Sequence, residues 1–426
     1  MAELRCKQAA TLPIRALAMK RKLSIAMVSD FFYPSNGGVE THIRYLGEEL
    51  IMMGHKVIVI THKAGDHVGC RMVGNIKTYF LDIPIVCRNV AFPSLFSNFS
   101  LLKEIFDEEE VEIVHGHQTM SSMCIEALFH AITLNLKTVI TDHSIFEVGP
   151  FENIVVNALC RFVLKSVGRC ICVTYTSKEN THLRTHVPLD KIHVIPNAML
   201  SELFYPDRDR ARNGKVVIIV CRLVYRKGVD LLAGAIPIVC KADPDVRFII
   251  VGDGPMRECI EQALDEHGLY DRVDMMSDVC HEQVGSIMRK GDVFLNASLT
   301  EAFCIAIVEA ASCGLHVVST NVGGVHEVLP PDMITFSRLT AHDLAKNVLN
   351  ALKKHNHDKH DYNQRLKSIY NWRRVAEMTE DVYTGMKATK TNYIQRRRLY
   401  KGMSGFIFRL FITIEYILLY AISTSK

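Results

Sequence analysis

Four residues in this chain combine chemistry with suggestive spacing: Arg222, Lys227, Glu301 and Glu309. In VVIIVCRLVYRKGVDLL, Arg222 falls just past a strand-like apolar run and Lys227 just before a helical one. Two cations fixed there can neutralise a diphosphate, and a guanidinium can grip its oxygens two at a time. Standing alone, the segment would read as a solvated loop with two surface charges. In FLNASLTEAFCIAIVEAASCGL, seven residues separate Glu301, expected at a helix start, from Glu309 inside the helix. Amides following Glu301 could face an anion at the helix N-terminus, while both carboxylates accept hydroxyls of a sugar or ribose. Spaced glutamates recur by chance. Their order raises the odds: a cationic strand-to-helix loop, the glycine loop VGDGP, then the glutamate pair.

Two glycine loops require separate weighing. Gly37 and Gly38 follow the strand LSIAMVS and precede a helix, so backbone there could approach a phosphate, although a tight turn uses Gly-Gly equally well. Gly252 and Gly254 imitate a dinucleotide fingerprint, but Arg257 occupies the third glycine's place, which makes a dehydrogenase a poor reading. A close approach of that loop to pyrophosphate, with Pro255 opening the helix, stays open. No metal is expected. CxxC and HExxH are absent, His115 and His117 supply two imidazoles, and the acidic triplets Asp207/Asp209 and Asp243/Asp245 fall in an Arg-rich stretch and a proline turn.

These residues must be held by a particular scaffold. Apolar strand-like runs (LSIAMVS, KVIVIT, IVHGH, TVIT, CICVT, HVIP, then VVIIVCR, VRFIIVG, VFLN, HVVST) alternate with helical patterns, as in an α/β protein with parallel sheets. In such sheets ligands bind at strand carboxyl ends, and the informative residues cluster there. The polar stretch PDRDRARNGK divides two series of strands. The expected division is a basic tail (1–22, disordered), a Rossmann-like domain (23–196), a linker (197–214), a second Rossmann-like domain (215–372), a helical return with a basic linker (373–403), and a membrane helix (404–423).

The chain has 426 residues, 48% of them hydrophobic, enough for two cores. A formal charge of +4, without basic clusters interleaved with aromatics, argues against nucleic acid as a partner. The 13 cysteines are scattered, many of them in apolar runs, and read as reduced, mostly buried thiols. GFIFRLFITIEYILLYAI near the C-terminus is interrupted only by Arg409 and Glu415, and it is close to the ~20 residues a membrane span needs. A helix docked on the body is the alternative. Arg396, Arg397, Arg398 and Lys401 before the stretch, against Lys426 after it, favour a span with the body in the cytoplasm. Glycan on Asn98 or Asn296, which head N-x-S sequons, would contradict that topology. Phe92, Leu95, Phe96, Phe99, Leu102 and Phe106 recur at helical spacing, as a core face or as one lying in a membrane surface. Phe31, Phe32 and Tyr33 could border a lipid headgroup.

The ordered set resembles retaining glycosyltransferases of the GT-B fold, family 4, over about residues 23 to 386. The segments VSDFFYP, GGVE, TDHS, YTSKEN, VIPNA, RLVYRKG, SLTEAFC, AIVEAASCGL, VVST, VGG and EVLP are similar to the PIG-A branch. That branch transfers N-acetylglucosamine from UDP-GlcNAc to phosphatidylinositol, the first step of GPI-anchor synthesis. The resemblance implies that Arg222 and Lys227 hold the diphosphate and Glu309 the ribose. It implies that Glu301 holds the transferred sugar, near the amides of Ala302, Phe303, Cys304 and Ile305. Gly38 would approach the phosphate from the other domain, and Val279 or Asp278 would meet uracil near Ser277. His143 in TDHS would face the reacting sugar; without the resemblance it reads as a satisfied strand-end histidine. Ala302 and Cys304 stand where the wider family has glycine. The resemblance further implies other subunits of a transferase complex and residence at the endoplasmic reticulum membrane. Three alternatives stay open: another donor or lipid acceptor, as in a mannosyltransferase; a silent scaffold of the same fold; and a nucleotide-sugar epimerase.

Overall fold

The computed structural model describes residues 21–35, 37–87, 90–91, 96–145, 158, 160–207, 215–277, 279–353, 359–387 and 392–424. Most of the expected basic tail, residues 208–214 of the linker, and Phe92, Leu95, Asp209 and Asp278 lie outside the described residues.

The first half runs β1 (Ser24–Val28), α1 (Gly38–Met52), β2 (Lys56–His62), β3 (Gly69–Val73), β4 (Ile76–Leu81), β5 (Ile85–Cys87), β6 (Val90–Ala91), α2 (Phe99–Glu108), β7 (Ile113–His117), α3 (Ser122–Thr133), β8 (Lys137–Asp142), β9 (Arg169–Cys172), α4 (Tyr175–Thr185) and β10 (Ile192–Val194). Eight of these strands form one sheet in the order β10-β9-β8-β7-β1-β2-β4-β3, parallel except for the β3–β4 hairpin. The strands are fully buried through β1 and β7, as expected for a parallel sheet covered on both faces.

The second half runs β11 (Lys215–Val220), α5 (Val229–Ala242), β12 (Val246–Val251), α6 (Arg257–His267), β13 (Val273–Met276), α7 (His281–Met288), β14 (Val293–Asn296), α8 (Ile305–Ser312), β15 (His316–Thr320), β16 (Ile334–Ser337), α9 (Ala341–Lys353) and α10 (Lys359–Ile369). Its sheet, β13-β12-β11-β14-β15-β16, is parallel throughout. Each sheet reverses its strand order beside its first strand, at β1/β7 and at β11/β14. Loops diverge there and leave a crevice beyond the strand ends, which is where ligands settle in such folds. Arg222, Lys227 and Glu301 follow β11 and β14; Gly37, Gly38 and His117 follow or end β1 and β7.

α11 (Trp372–Gly385) returns to the first sheet, where Trp372, Val375, Ala376 and Tyr383 join the core of Ile25, Met27 and Ile43. The Tyr383 hydroxyl is hydrogen-bonded to His115 Nδ1, 2.7 Å away. α12 (Tyr393–Arg398) and α13 (Gly402–Thr424) end the chain. α13 is long and apolar enough to cross a membrane. One of its faces docks on the first domain: Phe408 stacks on Phe162 with centroids 4.1 Å apart, and the Glu415 carboxylate is fully buried against His130 Nδ1 and Thr133 Oγ1, each at 2.6 Å.

The described part of the apolar face, carried by α2 and Phe96 just before it, packs inward. Phe99, Leu102 and Phe106 are core residues, and Phe96 packs on Phe411 of α13. Of the two readings of that face, the described residues follow core packing, because the facing elements are α3 and α13. Phe32 is likewise buried in the core, while Tyr33 is exposed and edge-on to His67. Asn296 is buried and donates to Ser319 Oγ at 2.9 Å, so the folded chain offers no glycan acceptor at that sequon. Asp243 is engaged by Lys215 at 2.5 Å, a structural role for that acidic triplet.

Candidate active site

The loop after β11 carries both cations because its path is fixed by glycine. Gly228 caps the short turn Tyr225–Lys227 at φ 66°, and a Cβ there would fall 1.9 Å from the Ala297 carbonyl oxygen. This close contact brings the loops after β11 and β14 together, and with them Lys227 and Glu301. Lys227 Nζ ion-pairs with Glu301 Oε1, which also accepts from Ser298 Oγ at 2.9 Å. Burial opposes the charge on Lys227, yet the pairing with Glu301 leaves its pKa raised. A cation kept charged in a partly desolvated cleft is suited to an anionic leaving group.

Glu301 lies in the loop ahead of α8, not at the helix start that its spacing predicts. The helix begins at Ile305 because Cys304, its N-cap, sits at φ 64°. This left-handed conformation favours glycine, so the departure from glycine at Cys304 falls where a side chain carries backbone strain, on the order of 1–2 kcal/mol. The α8 N-terminus receives no side-chain cap, and Ile305 remains part-exposed. Ala302 and Phe303 are buried; the Ala302 carbonyl accepts from Thr174 Oγ1 of the other domain at 3.0 Å.

Glu309 is buried on α8 and lies 3.1 Å from Nε2 of His281, the first residue of α7. The hydrogen bond to Glu309 raises the His281 pKa against burial. Sequence spacing does not point to His281, because its partner is 28 residues away. Val279, half-buried, stands two residues before this helix, next to its N-cap Cys280. Ser277 accepts from Arg257 Nη1 at 2.7 Å, so the residue that breaks the dinucleotide fingerprint ties α6 to the β13 exit.

Gly252 and Gly254 have a packing explanation. Their φ values are 134° and 155°, and added Cβ atoms would meet the Cys221 and Leu223 carbonyl oxygens at 1.9 and 2.4 Å. They let the VGDGP loop lie against the cationic loop. Pro255 sits in the turn, and α6 starts only at Arg257.

The first domain closes the other side. Gly38 opens α1, and the space where its Cβ would stand is empty. At Gly37 that space is taken by the Glu40 carboxylate, 2.5 Å away. Burial raises the pKa of Glu40, the last residue of GGVE and one to which the sequence assigns no role, against hydrogen bonds from the Glu40 and Val39 amides and the attraction of Arg222. An acidic group thus occupies the anion-binding end of α1, opposite the cation that sequence spacing assigned to a diphosphate. A second bridge joins the domains: Glu327 accepts from the Tyr175 amide at 2.7 Å, and from the Thr176 amide and hydroxyl at 2.8 and 2.6 Å. These cap α4 with a carboxylate, where the helix dipole favours it.

His143 follows β8 and meets His42 with ring centroids 4.6 Å apart. Its Nε2 and both ring nitrogens of His117 are buried with no hydrogen-bond partner, so His143 is not the satisfied histidine expected of a strand end alone. Burial holds His42 down to about 4 and His117 and His143 well below their ordinary values, so all are neutral at pH 7. The ring nitrogens of His42, His117 and His143 lie within 4.8 Å of one another, a group that could take a metal ion or present neutral imidazoles to hydroxyls. His115, two residues from His117 in sequence, is turned away from this group, to Tyr383 and to Thr141 Oγ1 at 2.7 Å.

Comparison with known proteins gives this cleft its context. Residues 205–368 match the family of glycosyl transferases group 1, and residues 62–150 match PIGA (GPI anchor biosynthesis). Among solved structures, sucrose-phosphate synthase from Thermosynechococcus elongatus has a TM-score of 0.71 at 20% identity, over 85% of this chain and 98% of that one. Anabaena HepE in complex with UDP has a TM-score of 0.69 at 16% identity, over 85% and 100%. These likenesses give the two-domain GT-B fold. The gpi3 subunit of phosphatidylinositol N-acetylglucosaminyltransferase from Schizosaccharomyces pombe is 43% identical, covering 92% of this chain and 88% of the relative. The corresponding phosphatidylinositol N-acetylglucosaminyltransferase subunit of Homo sapiens is 41% identical, over 94% and 84%. With the likeness running through both domains and both sides of the cleft, the chain belongs to the GPI3 family of phosphatidylinositol N-acetylglucosaminyltransferase subunits and is a glycosyltransferase of GPI-anchor biosynthesis.

Proposed function

We propose that the chain transfers N-acetylglucosamine from UDP-GlcNAc to a hydroxyl of phosphatidylinositol, with retention at the anomeric carbon. In this reading it is the catalytic subunit of its complex, at the cytoplasmic face of the endoplasmic reticulum membrane. The observation that carries the reading is the Lys227–Glu301 ion pair beside Arg222, at the switch point of the second sheet and next to the uncapped N-terminus of α8.

The UDP diphosphate sits between Arg222 and Lys227, with the amides from Ala302 to Ile305 directed at it. Glu309, oriented by His281, accepts the ribose hydroxyls, and Val279 borders uracil. Glu301 accepts hydroxyls of the transferred sugar, and His143 meets the same sugar from the first domain. Gly37 and Gly38 bring the α1 amides toward the phosphate, which requires the Glu40 carboxylate to yield to it. As the bond from the anomeric carbon to the diphosphate breaks, negative charge grows on UDP, and fixed cations and helix amides stabilise it. The acceptor hydroxyl attacks from the face UDP leaves, passing its proton to a phosphate oxygen. These charges come from side chains and amides, so the donor needs no divalent ion.

Membranes carrying the assembled complex, given labelled UDP-GlcNAc, should form labelled N-acetylglucosaminyl phosphatidylinositol. Labelling of a lipid from GDP-mannose and not from UDP-GlcNAc would overturn the reading.

A further inference from the structure

The docked helix α13 has a second, uncovered face. Its buried side is Phe408, Ile412 and Glu415. Opposite them Phe406, Leu410, Ile417 and Tyr420 are 49–71% exposed and fall on one stripe of the helix. A continuous apolar stripe of this size marks a contact surface.

At the head of this helix lies a groove of 400 Å³ whose lining includes Tyr393, Ile394, Arg397, Arg398, Lys401 and Arg409. Among the described residues, none of these four cations has a carboxylate partner, whereas neighbouring Arg396 is buried and engaged by Glu415 at 3.3 Å. The rigid docking of α13 through Glu415 fixes the groove beside the stripe. Ile394, 58% exposed, extends the apolar surface onto α12.

We infer that the groove seats the phosphates of anionic phospholipids while the adjoining stripe contacts their acyl chains. Unpaired cations beside exposed aliphatic and aromatic groups match both chemistries of an anionic bilayer. A soluble acidic peptide would satisfy only the first, and a neutral bilayer only the second. The site uses elements separate from the donor cleft, and it rests on the membrane part of the proposed function, not on the transfer reaction.

The test uses the purified full chain and vesicles of phosphatidylcholine alone or with phosphatidylserine, at low and high salt, without UDP-GlcNAc. The wild type should favour the anionic vesicles, more so at low salt. The triple variant Arg398→Gln, Lys401→Gln, Arg409→Gln should lose that preference by on the order of 100-fold, while UDP binding, read separately, reports an intact fold. Equal binding to both vesicles, or an unchanged preference in the variant, would overturn the inference. So would displacement by inorganic phosphate as effective as that by anionic vesicles, which would mark a free-anion site. A Phe406→Glu variant that keeps its vesicle preference but no longer co-purifies with its complex would assign the stripe to a partner helix instead. Loss of transfer with vesicle selectivity intact would count against the catalytic reading alone.

Discussion

Glu309 on α8 and His281 at the start of α7 face each other at 3.1 Å, joining two helices of the second domain. The pairing holds the His281 pKa above its ordinary 6.5. A raised folded-state pKa means that the stabilising charge-assisted bond is complete below that ordinary value and is lost as pH rises through the raised one. KM for UDP-GlcNAc should therefore climb as pH rises through that raised value, and His281→Ala should flatten the profile while raising KM. A pH profile of donor KM checks both.

Glu309→Gln keeps the shape but gives up the charge. Loss of a hydrogen bond to a charged group costs roughly 1.5–3 kcal/mol, which is about 10- to 150-fold in donor affinity. UDP titration by calorimetry measures this directly, and unchanged affinity would remove Glu309 from the ribose site.

Much of this arrangement is legible in the chain. Alternation of runs such as VVIIVCR and VRFIIVG with helical segments dictates parallel sheets, and strand ends are where Arg222, Lys227 and Glu301 stand. Partners distant in sequence are not legible. Glu327 caps α4 from 151 residues away, and Glu40 feels the charge of Arg222 from the other domain; no periodicity encodes either. The start of α8 differs from its expected place because Cys304 adopts a glycine-like φ without being glycine. The docking of α13 is hidden for a related reason: Glu415 looks like an interruption in an apolar span until His130 and Thr133 are placed beside it.

That buried network gives a stability prediction. Glu415→Ala leaves Arg396 buried without its carboxylate and His130 with Glu126 alone. Breaking one partner of a buried pair costs roughly 3–5 kcal/mol. Proteolysis within α12 and α13 should accelerate strongly, and wild-type resistance in the variant would contradict the docking.

Cys304 provides a backbone test. Cys304→Gly removes the strain of a φ of 64° and should stabilise the second domain by up to about 1–2 kcal/mol, whereas Cys304→Val puts a branched side chain there and should destabilise it relative to the wild type. Denaturant melts of the two variants check the order.

If fixed cations carry the leaving-group charge, chelation with EDTA should leave transfer unchanged. A loss restored by a divalent ion would place a metal in the cleft, with His42, His117 and His143 the group to examine.

The most direct measurement is the initial rate of label transfer from UDP-GlcNAc to phosphatidylinositol by the assembled complex carrying Lys227→Ala. Removing one preorganised stabiliser of transition-state charge should slow it by roughly 10²–10³-fold with the complex intact. A rate equal to the wild type would contradict the assignment of this cleft as the catalytic site.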